Sequence, residues 1–185
     1  MQKQIKNIIS YLNKGNIILY PTDTVYGIGC DATNKKAVNN IYKLKKREES
    51  KSLIILVDSF QMLENYVGNV SDTIKAYLSN TVKPTTVIYN NPKNLPNNLI
   101  ATDNTIAIRI VTSGFVYELI KEFGKPIIST SANISGEKTP LSFNEISNEI
   151  KNNVDFIVTL YKQESINKAS QIIKEINGKI EFIRK

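Results

Sequence analysis

The sequence contains no histidine and a single cysteine, Cys30. One thiol cannot build a disulfide framework, and the absence of histidine argues against a zinc site, which takes Cys and His ligands in number. Ser–His and Cys–His nucleophile pairs are excluded. Most hydrolase chemistries drop out with them, and acid–base work falls to carboxylates, lysines or the substrate itself. No apolar run approaches the roughly 20 residues of a membrane-spanning helix. Met1-Gln2-Lys3-Gln4 leads into an amphipathic helix and not into the apolar block of a signal peptide, so a cytoplasmic protein is expected. There is no P-loop, because no Gly-rich run ends in Gly-Lys-Ser/Thr. Gly27-x-Gly29-x-x-Ala32 has the letters of a dinucleotide fingerprint, but the apolar run before it stops at Tyr20, too early for those glycines to follow the strand directly.

Arginine is scarce as well. The formal net charge is +7, and the cations are 21 lysines and three arginines, Arg47, Arg109 and Arg184. The abundance of Lys, Asn and Ile matches the drift of an AT-rich genome, which accounts for the bulk charge. A polyanionic ligand, nucleic acid or nucleotide phosphate, is the functional alternative. Where lysine has taken over almost everywhere else, each surviving arginine is expected to serve where a planar, bidentate donor is needed.

What is present reads as one domain spanning residues 1–185, with 41% hydrophobic and 22% charged residues and enough length for a real core. Its organising stretch is Ile17-Ile18-Leu19-Tyr20-Pro21-Thr22-Asp23-Thr24-Val25-Tyr26-Gly27-Ile28-Gly29. A buried central strand stops at proline, a turn rich in hydroxyls and carboxylate follows, and two glycines bring the chain back. Strands of α/β proteins present ligand sites in such turns.

Helical spacing of apolar residues predicts a first helix on Ile5, Ile8, Ile9 and Leu12, and a second over 34–46 with Ala37, Val38, Ile41 and Leu44 inward. A charged loop, 45–51, leads to a buried strand at 53–57. Asp58 or Ser59, then Ser71, cap two further helices. Residues 85–89 form a β-branched strand. In 106–110 strict alternation puts the three isoleucines on one side and Ala107 and Arg109 on the other, and a mid-strand arginine needs a partner or a polar cavity. A core helix over 115–123 precedes Ile127-Ile128 and then Ser129-Thr130-Ser131-Ala132-Asn133-Ile134-Ser135-Gly136, a hydroxyl-rich turn. Such a turn either makes only its own Asx/Ser bonds or offers neutral donors to phosphate or carboxylate. Ser142-Phe143-Asn144-Glu145 is a capping box expected to start a helix. A strand over 154–158 and a hairpin around Asn177-Gly178 complete the chain. Strands and helices mix without strict βαβ alternation, which implies a mixed sheet with helices packed on it.

Taken in order, the strings YPTDTVYGIGCDA, KLKKREESKSL, TTVIY, AIRI and GKPIISTSANISG resemble the YrdC-like threonylcarbamoyl-adenylate synthases in their short single-domain form. The C-terminal Ser-x-Ile-Ile and Phe-Ile-Arg are looser matches. The resemblance implies a YrdC-like α/β fold, a twisted mixed β-sheet with flanking helices around a concave basic cavity. It implies a nucleotidyltransferase that joins L-threonine, bicarbonate and ATP into threonylcarbamoyl-AMP and pyrophosphate for tRNA threonylcarbamoyladenosine modification. Magnesium would arrive with the ATP phosphates, and downstream tRNA threonylcarbamoyl-transfer enzymes would use the product. By the match, Lys45 and Arg47 are the catalytic pair facing the triphosphate. Lys51, Thr86, Ser131, Asn133, Thr139 and Arg184 join them on the ATP side. Thr24, Arg109, Ser129 and Ser170 hold threonine, with Arg109 on its carboxylate. Two departures stand out. Leu56 occupies a place where many relatives carry histidine, and the family's usual proline is missing from Ile110-Val111-Thr112-Ser113-Gly114.

Two other readings compete. A basic RNA-binding or ribosome-maturation module should interleave aromatics with its cations, and residues 45–51 contain none. A carbamoyl transferase relative should carry zinc-finger and acylphosphatase domains in addition.

Overall fold

The computed structural model describes residues 2–48, 53–159 and 169–185. Lys51 lies outside the described residues. In chain order the elements are α1 (Gln2–Asn13), β1 (Ile18–Tyr20), β2 (Gly27–Gly29), α2 (Lys35–Lys45), β3 (Ile54–Val57), α3 (Phe60–Val67), α4 (Asp72–Asn80), β4 (Thr85–Asn90), β5 (Thr105–Ile110), α5 (Gly114–Phe123), β6 (Ile127–Ser131), α6 (Asn148–Asn152), β7 (Phe156–Ile157), β8 (Gln171–Ile176) and β9 (Lys179–Arg184). The strands form one mixed sheet in the order β7-β1-β2-β6-β3-β5-β4-β8-β9. The pairs β1–β7, β3–β5 and β4–β8 are parallel and the rest antiparallel.

The period-two alternation along these strands divides the core between the two faces of the sheet. Leu19, Ile28, Ile55, Val57, Ile106 and Ile108 pack with Ala37, Val38 and Ile41 of α2, Leu63 of α3 and Ile74 of α4. Ile18, Tyr20 and Leu56 pack with Ile5, Ile8 and Leu12 of α1 and the apolar face of α5. The capping residues behave as their chemistry demands. Asn34 Oδ1 accepts from the backbone N–H groups of Lys36 and Ala37, and Ser59 and Ser71 each accept from the third residue beyond them.

Four expectations need correction. Residues 17–20 do not form a central strand: β1 lies second from one edge of the sheet. The glycines after the turn lie in a strand of their own, β2, and the bare Gly29 lets that strand approach β6 closely: a Cβ there would sit 2.1 Å from the Ile128 carbonyl oxygen. The strand at Ile127-Ile128 continues through Ser131, since β2 pairs with Thr130 and Ser131 after β3 has paired with residues 127–129. Finally, the Ser142–Glu145 box does not start a helix: Ser142 Oγ donates to the Glu145 carboxylate, which also accepts from Leu141 N–H, and the Glu145 N–H goes to the Ser142 carbonyl, so the reciprocal side-chain-to-backbone bonds of a capping box are not the ones made. Residues 142–146 stay in tight turns, with Phe143 packed on the Tyr26 ring, and α6 begins only after Ser147, which caps Ile150.

Candidate functional site

Sheet register assembles the site. Leu56 on β3 stands opposite Arg109 on β5, Arg109 opposite Thr86 on β4, Thr86 opposite Ile172 on β8, and Ile172 opposite Arg184 on β9. Directly paired residues share a face, so one row across five strands brings together groups far apart in sequence. A β-bulge between Ile172 and Ile173 decides the last member. The extra residue in β9 puts Arg184, and not Ile183, opposite Ile172, re-aiming a charged side chain as bulges do. On the other side of β3, Ile54 pairs with Ser129 and Gly27 with Ser131, which places both serines on this same face.

These elements enclose a cavity. Its wall includes Thr24, Arg47, Arg109, Ser129, Ser131, Thr139, Ser170 and Arg184, eight of the residues expected at the site. Thr22, Val25, Leu53, Ile54, Leu56, Thr130 and Ala169 complete most of the rest. All three arginines of the chain reach it, and no acidic residue is among the described lining residues. Such a wall suits an anion. Leu56 contributes apolar surface beside Arg109, where a histidine would have offered a polar contact.

The hydroxyl turn after β1 is internally ordered. Thr22 Oγ1 donates to the Val25 carbonyl at 2.7 Å and accepts from the Thr24 N–H at 3.1 Å. It also accepts from the Val25 N–H at 3.2 Å and meets the Thr24 hydroxyl at 2.9 Å. Thr24 lines the cavity, where its hydroxyl oxygen can accept a hydrogen bond. Arg109 is buried, and its Nη1 donates to Asp23 Oδ2 at 2.7 Å.

Three expected residues stand behind the wall. Lys45, only 2% exposed, does not line the cavity. Its ammonium donates to the carbonyls of Ser131 and Asn133 at 2.5 and 2.6 Å, while its own carbonyl accepts from Ser135 N–H. Burial, with the Arg47 charge second, pushes its pKa down to about 8. Lys46 then turns left-handed (φ 50°), ends α2, and sends Arg47 to the cavity. Asn133 spends its amide on the carbonyls of Ile134 and Glu137, both at 2.9 Å, and so holds its own turn. Thr86 is fully buried and shares a 2.8 Å hydroxyl contact with Ser170. Arg184 donates from Nε and Nη2 to the Ser170 carbonyl; partial burial lowers its pKa.

Cys30 is buried, and burial followed by the Asp31 charge raises its thiol pKa well above the ordinary range. It is no nucleophile. Among the described residues no group of three or more His, Cys, Asp and Glu could hold a metal ion, and no helix is long and apolar enough to cross a membrane. The residues that sequence reasoning missed are Thr22 and Asp23. Both lie in the turn it singled out, and two hydroxyls flanking a carboxylate were the available signal.

Comparison with known proteins gives four consistent matches. Residues 10–185 fit the Sua5/YciO/YrdC family model, described as telomere recombination. The chain is 36% identical over 160 residues to a threonylcarbamoyl-AMP synthase of Pseudoalteromonas translucida, covering 85% of this chain and 86% of that one. It is 34% identical over 188 residues to a putative threonylcarbamoyl-AMP synthase of Methanocaldococcus jannaschii, covering 99% and 87%. Among solved structures, that of P. abyssi Sua5 complexed with L-threonine superposes with a TM-score of 0.90 at 24% identity; all of this chain is covered but only 54% of that protein. This last likeness speaks to the fold.

Proposed function

The chain belongs to the Sua5/YciO/YrdC family, and from that premise we propose that it is an enzyme, an L-threonylcarbamoyladenylate synthase of the nucleotidyltransferase type. The observation that carries the reading is the convergence of Arg47, Arg109, Arg184, Ser129, Ser131 and Thr24 on one cavity. An amino acid and a nucleotide together present a carboxylate and a triphosphate, and the wall offers three guanidinium groups to them.

The reaction has two steps. The threonine amine attacks the carbon of bicarbonate or carbon dioxide to give a carbamate, with water released when bicarbonate is the donor. A carbamate oxygen then attacks the α-phosphorus of ATP, the bond to the bridging oxygen breaks, and pyrophosphate leaves. No protein nucleophile is required, so the lack of histidine is no obstacle. Phosphoryl and nucleotidyl transfer depend on positioning and charge stabilisation. Arg47 and Arg184 neutralise the phosphates, Ser131 and Thr139 donate to them, and Lys51, by the family match, adds a further cation. Lys45 and Asn133 act through the turn they order, holding Ser131 in place, and Thr86 acts through Ser170. Arg109 takes the threonine carboxylate, while the Thr24 hydroxyl accepts an N–H or O–H of the amino acid, with Ser129 and Ser170 beside it. Magnesium enters with ATP as part of the substrate complex. The product passes to enzymes that transfer the threonylcarbamoyl group to tRNA.

The test is pyrophosphate release by the purified protein. It should require ATP, L-threonine and bicarbonate together. Equal turnover with serine or with no amino acid overturns the substrate, and salt-dependent RNA binding without turnover favours an RNA-binding module.

A further inference from the structure

We propose that Asp23 is a positioning residue: its carboxylate sets the orientation in which the Arg109 guanidinium meets the carboxylate of the amino-acid substrate. This rests on the reading of Arg109 given above. The observations that carry it lie in the turn. Asp23 comes from the loop after β1 and Arg109 from the middle of β5, 86 positions apart, and Nη1 donates to Oδ2 at 2.7 Å. The Arg109 side chain is 5% exposed and that of Asp23 32% exposed, so the carboxylate reaches inward from a partly solvated turn. The turn does not need it. Thr22 makes the turn's own bonds, to the Val25 carbonyl and from the backbone N–H groups of Thr24 and Val25. Asp23 Oδ1, moreover, is buried with no hydrogen-bond partner. Burying an unpaired carboxylate oxygen is unfavourable, so a carboxylate held this way is explained by what Oδ2 does.

What Oδ2 does is specific. A guanidinium carries five N–H donors in a fixed planar fork, and Asp23 engages Nη1 alone. Among the described residues the Arg109 side chain makes no other hydrogen bond. The Nε–Nη2 edge, with its two parallel N–H groups, is left for a second carboxylate in bidentate geometry. Arg109 also lines the cavity next to Thr24, the residue following Asp23. One short turn therefore both orients the donor for a carboxylate and presents an acceptor for the amino acid's remaining polar hydrogens. Asp23 further balances the Arg109 charge, so the threonine side of the cavity prefers a zwitterion to a bare anion.

The experiment combines calorimetric binding of L-threonine and of ATP with ¹⁵N-resolved NMR of the arginine Nε–H groups. With only three arginines in the chain, the Arg109 resonance is identified by its loss in Arg109→Lys. Asp23→Ala should weaken L-threonine binding by roughly ten- to a hundredfold, as expected for a lost hydrogen bond to a charged group, and leave ATP affinity unchanged. Asp23→Asn, which keeps an acceptor oxygen for Nη1, should recover most of the loss. The Arg109 Nε–H resonance should collapse towards that of free arginine in Asp23→Ala and stay dispersed in Asp23→Asn. Wild-type threonine affinity in Asp23→Ala, or an unmoved resonance, overturns the proposal. A wild-type protein that does not bind threonine refutes the substrate reading alone, and the resonance then decides the orienting role by itself.

Discussion

Arg184 and Ser170 lie fourteen positions apart and are joined twice: Arg184 Nε and Nη2 donate to the Ser170 carbonyl oxygen at 3.1 and 2.7 Å. The Ser170 hydroxyl, just before β8, meanwhile pairs with that of Thr86 on β4. The last strand thus fixes the backbone of a residue on the cavity wall, and the bulge in β9 is what allows it.

Arg184→Ala should therefore act on both substrates. The KM for ATP and the KM for threonine are each expected to rise by about tenfold, the scale of one lost charged hydrogen bond. The midpoint of thermal unfolding should hardly move, since β9 is an exposed edge strand. Arg184→Lys should not rescue, because an ammonium cannot reproduce the two-pronged contact. Steady-state kinetics with each substrate varied in turn checks this, and an unchanged threonine KM contradicts it.

Arg47→Ala should reduce pyrophosphate release by about 10²–10³-fold, the usual effect of removing one preorganised charge-stabilising donor. The circular dichroism melt should be unaltered. Residual activity near the wild-type level removes Arg47 from the machinery.

Lys45 ties stability to pH. Its folded pKa is about 8, against 10.5 for the free side chain, with burial the main cause and Arg47 the second. The unfolded chain therefore holds this proton more tightly than the folded one. The penalty for a charged, buried ammonium is complete below about pH 8 and is relieved as pH rises from 8 through 10.5. Relative to Lys45→Met, the wild-type protein should gain about 2–3 kcal/mol over that window. Urea titrations at several pH values measure the difference, and parallel curves for the two proteins contradict it. Lys45→Met should also raise the KM for ATP through loss of order at Ser131.

Gly29→Ala should destabilise the fold by about 3 kcal/mol, the upper range for overpacking. The new Cβ would lie 2.1 Å from the Ile128 carbonyl oxygen and 2.9 Å from Tyr20 Cε1, and the first of these is backbone that cannot swing away. Urea unfolding midpoints compared at constant slope read the loss directly.

Much of the architecture is legible in the sequence. The 3.6-residue spacing marked α1, α2 and α5, side-chain caps marked the starts of α3 and α4, and alternation in 106–110 put Arg109 opposite the isoleucines. Asn177-Gly178 predicted the β8–β9 hairpin, and both residues do adopt positive φ, 51° and 75°. The capping box at Ser142 misled because its two side chains bond to each other, and Glu145 to the Leu141 N–H, in place of the box's own backbone groups; Phe143 packs on Tyr26, and the cap that starts α6 is Ser147. Strand β2 was hidden because two glycines in three residues carry little strand propensity of their own.

By itself the sequence determined which chemistries were closed to this chain, through missing histidine and a lone cysteine, and which cations were worth following, through the scarcity of arginine. It also determined the local elements, because capping and periodicity act over a few residues. Only the tertiary structure decided which groups share the cavity and which stand behind it. Lys45, Thr86 and Asn133 support the wall, Asp23 meets Arg109, and a single bulged residue turns Arg184 inward. Register and burial arise from pairings across 14 to 88 positions, and no local propensity encodes such distances.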